Sequence, residues 1–171
     1  AQDLERQRPD VVFQLVESVA RSGRLAHLPA HVLEHLRVPF TGGSAQTLLL
    51  TNSKLLTKVL LAQRGLPTPP WLTAEELAVD QPVEHGPWLL KAVWEHGSLG
   101  IEADGVITAG DTEPLRAALT ARAATFGGEG FAERYVHGRE FNLALLEIDG
   151  APQCLPVAEM RFERDDDGAP S

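Results

Sequence analysis

Trp88-Leu89-Leu90-Lys91-Ala92-Val93-Trp94-Glu95-His96-Gly97-Ser98-Leu99-Gly100 is the stretch on which the reading of this chain turns. Its first half, with Pro87 in front, is a short apolar run and predicts a strand. Its second half is a glycine-serine loop. A strand lysine feeding such a loop has two means of holding phosphate. Lys91 supplies a point charge, and the glycines let backbone N–H groups approach oxygens with no Cβ in the way. A blander reading stays open, because a lysine at the end of a half-buried strand also snorkels to water or pairs with a carboxylate. The chain has no Gly-x-x-x-x-Gly-Lys-Ser/Thr sequence, which excludes the ordinary P-loop.

Toward the amino terminus, Gly65-Leu66-Pro67-Thr68-Pro69-Pro70 predicts a stiff, extended connector and a domain boundary. Before it, residues 45–63 carry a helical pattern with a break at Thr51-Asn52-Ser53, where Ser53 is placed to cap the second segment. Lys54 and Lys58 share one face of that segment at i and i+4, so one or both can point into a cleft beside the connector; solvent is the default for either. Thr41-Gly42-Gly43-Ser44 is turn chemistry, and Leu28, Val32, Leu33 and Leu36 predict an amphipathic helix over residues 29–37. The β-branched run Asp10-Val11-Val12-Phe13-Gln14-Leu15-Val16 predicts a buried parallel strand.

Toward the carboxyl terminus the pattern becomes α+β. Thr73-Ala74-Glu75-Glu76 has capping-box spacing for a short helix, and Asp104-Gly105 between residues 101–103 and 106–108 predicts a hairpin. Asp111 or Thr112 caps a helix expected to reach Phe126, with Pro114 in its first turn and Gly127-Gly128 as its stop. Strands are expected over 131–136, 140–147 and 152–160, with Gly138 and Asp149-Gly150 as turns. Glu133 and Glu140 flank the first of those turns. Backbone groups at Glu133, Arg134, Tyr135 and Val136 are suited to an adenine edge, and Glu140 to ribose hydroxyls, although solvated turn charges fit the same letters.

Other candidates are weaker. His31 and His35 lack the intervening Glu of a zincin, Asp165-Asp166-Asp167-Gly168 reads as loop, and Cys154 as a buried structural thiol; no metal-ligating set is predicted. A chain of 171 residues, 43% hydrophobic, can bury a core. Its net charge of -9 with 15 Lys plus Arg argues against a nucleic-acid-tracking surface. A single cysteine, no run near the roughly 20 apolar residues of a membrane helix and no apolar signal core predict a cytoplasmic protein off the membrane.

Taken together and in order, these segments resemble the D-alanine-D-alanine ligases of the ATP-grasp superfamily. Val38-Pro39-Phe40-Thr41-Gly42-Gly43 is similar to the family's I-P-Y-T-G-S, Ser53-Lys54 through Lys58 to its D-K-x-x-x-K helix, and Gly65-Leu66-Pro67-Thr68-Pro69 to G-I-P-T-P. The opening stretch resembles x-x-V-K-P-x-x-E-G-S-S-x-G, residues 131–141 resemble V-E-x-x-x-x-G-x-E-F, and residues 155–160 resemble L-P-V-V-E-I. Ser53, Ala92 and His96-Gly97 depart from it, standing where the family has Asp, Pro and Gly-Ser.

The resemblance implies a mixed fold, α/β and α+β. Residues 1–48 would be the end of a Rossmann-like N-terminal domain, 49–136 the central small ATP-grasp lobe, and 137–171 the first strands of the large lobe. It implies that Lys54 and Lys91 contact ATP phosphates while Gly97 and Ser98 close over them. Glu133, Arg134, Tyr135 and Val136 would then bind adenine, and Glu140 the ribose. The implied reaction is ATP-dependent joining of a carboxylate to an amine through an acyl phosphate, with magnesium offsetting phosphate charge and a place in peptidoglycan biosynthesis. Its magnesium ligands are expected beyond Ser171, so these residues alone are not expected to catalyse. ATP and amino acids are the implied partners, with a homodimer compatible. Another ATP-grasp amino-acid or peptide ligase, or a non-catalytic nucleotide-binding module, fits the same motifs.

Overall fold

The computed structural model describes residues 2–96 and 105–161, which fall into two compact units, Ala1–Tyr135 and Val136–Ser171. The first unit opens with helix α1 (Gln2–Gln7), a 3-10 turn (Gly23–Leu25) and helix α2 (Leu28–His35). Helices α3 (Ala45–Asn52) and α4 (Lys54–Gln63) follow. Each is started by a serine hydroxyl: Ser44 accepts from the Thr47 N–H, and Ser53 from the Leu56 N–H. Ser53 is extended, at φ -84° and ψ 110°, which is why one helical pattern becomes two helices.

Beyond the connector come β1 (Trp71–Leu72), α5 (Ala74–Leu77), β2 (Pro82–Ala92), β3 (Val106–Asp111), α6 (Glu113–Ala121) and β4 (Gly130–Arg134). The capping box at Thr73 is formed in both directions. The four strands make one antiparallel sheet in the order β1-β4-β2-β3. Strand alternation separates its two faces. Trp88, Leu90, Ala92 and Ala132 point into a core completed by Leu77, Leu115 and Phe126. The register places Lys91 opposite Phe131, and Glu133 between Trp71 and Leu89, on the face turned away from that core.

Several expectations are corrected here. Residues 10–16 form no strand: Val12 makes one parallel bridge to Phe40, and Phe13 and Leu15 are exposed. A β-branched run becomes a strand only where its peptide groups find a ladder. Here the backbone pairing is confined to Val12, which donates to the Pro39 carbonyl and accepts from the Thr41 N–H. The helix expected to reach Phe126 ends at Ala121 and unwinds through turns to Gly127 and Gly128, both at positive φ. Thr112 does not cap it; its buried hydroxyl donates to the Val79 carbonyl and accepts from the Gln81 N–H. Val106 pairs with Leu89 of β2, while residues 101–104, the other arm of the expected hairpin, lie outside the described residues.

In the second unit, β5 (Glu140–Asn142) pairs with β8 (Ala158–Met160), and β6 (Leu145–Ile148) with β7 (Ala151–Cys154). Two long expected strands are thus four short ones. The β6–β7 hairpin turns at Asp149 and Gly150, at φ 52° and 77°, the two positive values such a tight turn demands. Cys154 is exposed, not the buried thiol expected. Arg139 grips Glu159 through two parallel contacts, Nε to Oε1 at 2.7 Å and Nη2 to Oε2 at 3.0 Å. The guanidinium holds the Glu159 carboxyl below its usual range. No helix among the described residues is long and apolar enough to cross a membrane.

Candidate functional site

Three lysines gather on the sheet face opposite the core. Lys58, one helical turn beyond Lys54, donates to Glu133 Oε2 at 2.8 Å and to Thr68 Oγ1 at 2.8 Å, with its ammonium 5.1 Å from the centre of the Trp71 ring. The other oxygen of Glu133, Oε1, pairs with Lys91. Lys54 starts α4, its backbone N–H bonded to the Val93 carbonyl and its side chain to the Glu95 carbonyl. The residues that follow β2 and the start of α4 are therefore stitched together.

Charge is unevenly distributed across this cluster. Burial would push the Glu133 carboxyl up, but hydrogen bonds from Lys58 and Lys91 hold it below its ordinary range. Lys54 is pulled down from its ordinary value, chiefly by burial and then by repulsion from Lys91, with Glu95 and Glu133 opposing. Three ammoniums thus face two carboxylates, a local excess of one positive charge on a chain of net charge -9. Such a spot favours an anion.

A second network holds residues 94–96 against Gly23 and Asn52. Gly23 is buried, and a Cβ there would lie 2.4 Å from the Trp94 carbonyl oxygen. Its N–H donates to Glu95 Oε1 at 3.2 Å, and its carbonyl accepts from the Asn52 amide. Asn52 Oδ1 in turn meets His96 Nε2 at 2.6 Å. Beside this network, Val16, Glu17, Ala26, Leu48, Thr51, Asn52 and His96 line a cavity of about 300 Å³.

Of the residues singled out from sequence, Lys54, Lys91 and Glu133 come together. Arg134 turns the other way, stacking on Trp88 at 5.3 Å and bonding Glu84. Its N–H is spent on the Pro70 carbonyl at 2.8 Å and that of Tyr135 on Pro87 at 3.1 Å, so those two donors serve the sheet and not a base. Val136 and Glu140 belong to the second unit, and both are exposed. Gly97, Ser98 and the aspartates 165–167 lie outside the described residues. Sequence reasoning left Lys58 without a role and passed over Gly23, Asn52 and Glu95. The i, i+4 spacing of Lys54 and Lys58 was the available signal; nothing local marks Gly23.

No family model matches the chain. Among curated relatives, the D-alanine–D-alanine ligase of Gluconobacter oxydans is 32% identical over 146 residues, 84% of this chain and 45% of the relative. The solved D-alanyl-alanine synthetase A of Vibrio cholerae aligns over 83% of this chain and 43% of its own, with a TM-score of 0.63 at 16% identity. This chain has the ATP-grasp fold and is similar in sequence to D-alanine–D-alanine ligases. The L-amino acid ligase of Bacillus licheniformis shares the ATP-grasp fold at a TM-score of 0.63, 23% identical and covering 92% of this chain and 34% of its own. The ATP-grasp chain spans less than half the length of the curated relatives it matches. At these identities the solved structures speak to fold, which is the mixed fold expected.

Proposed function

We propose that this chain is the nucleotide-binding portion of an ATP-dependent carboxylate-amine ligase of the D-alanine-D-alanine ligase type. The observation that carries the reading is the meeting of Lys54 and Lys91 beside Glu133. Two ammoniums from separate elements, with positive charge left over, suit the β- and γ-phosphates of a triphosphate. In this reading the γ-phosphoryl group passes from ATP to a substrate carboxylate oxygen and ADP leaves. An amine then attacks the acyl carbon, forming the amide and expelling phosphate. The lysines offset charge at the first step. The cavity beside Glu17 and His96 is sized for a small amino acid, with Glu17 a suitable acceptor for its ammonium.

Magnesium is implied by the family likeness, but among the described residues no group of three or more His, Cys, Asp or Glu side chains could hold a metal ion. The contribution proposed for this chain rests on its lysines. A second reading, a ligase for a different amino acid, is favoured by His96. It lines the cavity at a position where the family motif has glycine.

Calorimetric titration of this chain with ATP, and a screen of the full-length ligase for ADP release against D- and L-amino acids, test the proposal. Release dependent on D-alanine supports the first reading, and release dependent on another amino acid supports the second. A protein that binds no nucleotide rules out both.

A further inference from the structure

Lys58 is the most fully engaged and most deeply buried of the three lysines. An ammonium carries three donors. Glu133 and Thr68 take hydrogen bonds from Lys58, and the Trp71 ring covers it. Its side chain is 8% exposed, whereas that of Lys91 is 26% exposed and tied to one oxygen of Glu133. The Glu133 carboxylate is thus held at both oxygens by cations from different elements, and it cannot turn without releasing one of them. Were Lys58 absent, both oxygens would be free to close on Lys91 and draw it back onto the sheet.

We propose that Lys58 is a positioning residue: by occupying Glu133 Oε2 it confines Lys91 to Oε1 and keeps that ammonium presented to a bound polyphosphate. This rests on the nucleotide reading above. Thr68 gives the arrangement a second role, since the same ammonium ties the connector to the sheet.

The test is a double-mutant cycle read by calorimetric titration with ADP and ATP, with a melting temperature for every variant. Lys58→Met should weaken nucleotide binding about tenfold in the otherwise native protein but less than about twofold when Lys91 is already Met. Lys58→Arg should recover most of the loss. Effects of Lys58 and Lys91 that simply multiply, or a Lys58→Met protein that binds like the native one, would overturn the proposal. Where Lys58→Met does not fold, Lys58→Gln, which keeps a donor for Thr68 but brings no charge to Glu133, takes its place in the cycle, with the same non-additivity expected and simple multiplication again fatal. A native protein that binds neither nucleotide removes the ligase reading itself, an outcome distinct from additivity among variants of a protein that does bind.

Discussion

Lys58 and Glu133, 75 positions apart in the chain, meet at 2.8 Å with 6% and 8% of their surfaces exposed. A buried pair of this kind is costly to break from one side, because the surviving charge stays buried without its partner. Glu133→Ala should therefore destabilise the first unit by about 3 kcal/mol. Glu133→Gln, which keeps an acceptor for Lys58, should cost less. Denaturant titration of both variants measures the difference; an alanine variant as stable as the native protein would mean the pair is already solvated.

Acid sensitivity follows from the same carboxylate. Burial opposes its ionisation, yet the hydrogen bonds from Lys58 and Lys91 win and set its folded pKa below the ordinary 4.5. As pH falls, the unfolded chain takes up this proton first, so Glu133 stabilises the fold fully above about 4.5. That contribution is lost as pH drops through the folded value. The melting-temperature gap between the native protein and Glu133→Gln should be widest near neutrality and should close in acid. A gap independent of pH would contradict the assignment.

Lys54 has the opposite signature. Burial and the neighbouring Lys91 lower its pKa from 10.5, so its charged form is disfavoured by folding and the strain is relieved as pH rises through the folded value. Lys54→Met should leave stability unchanged or raise it while weakening ATP binding about tenfold. A bound polyphosphate should restore the affinity of Lys54 for its proton. Binding in alkaline solution should then take up protons, which calorimetry in buffers of different ionisation enthalpy detects. Binding with no proton uptake at any alkaline pH would place the nucleotide away from Lys54.

Gly23 predicts a defect at a distance. An alanine Cβ there collides with the Trp94 carbonyl group, backbone that cannot swing aside, and also crowds the Glu95 carboxylate. Gly23→Ala should cost roughly 1–3 kcal/mol of stability. It should also weaken nucleotide binding, by shifting Glu95 and with it the carbonyl that holds Lys54. Melting and ATP titration of this one variant check both; unchanged values would show that the residues 93–96 yield freely.

Much of the architecture was legible because its causes are local. Ser53 split one helical pattern in two, Thr73 and Glu76 closed a capping box, and Asp149-Gly150 turned a hairpin, each through contacts spanning four residues or fewer. Where the outcome depended on distant partners the reading faltered. Residues 10–16 have strand composition, but their peptide groups meet a single bridge, and the strands expected over 140–147 and 152–160 each divide.

The candidate site shows the same divide. Order of motifs was enough to place the chain among ATP-grasp proteins and to single out Lys54, Lys91 and Glu133, because residue type and spacing are one-dimensional facts. Which lysine is presented and which is locked was decided only in three dimensions. Strand register puts Glu133 and Lys91 on one face, and the angle of α4 brings Lys58 onto the same carboxylate. Pairing energies of buried charges depend on distance and desolvation, and both are set by tertiary packing and by nothing in the local sequence.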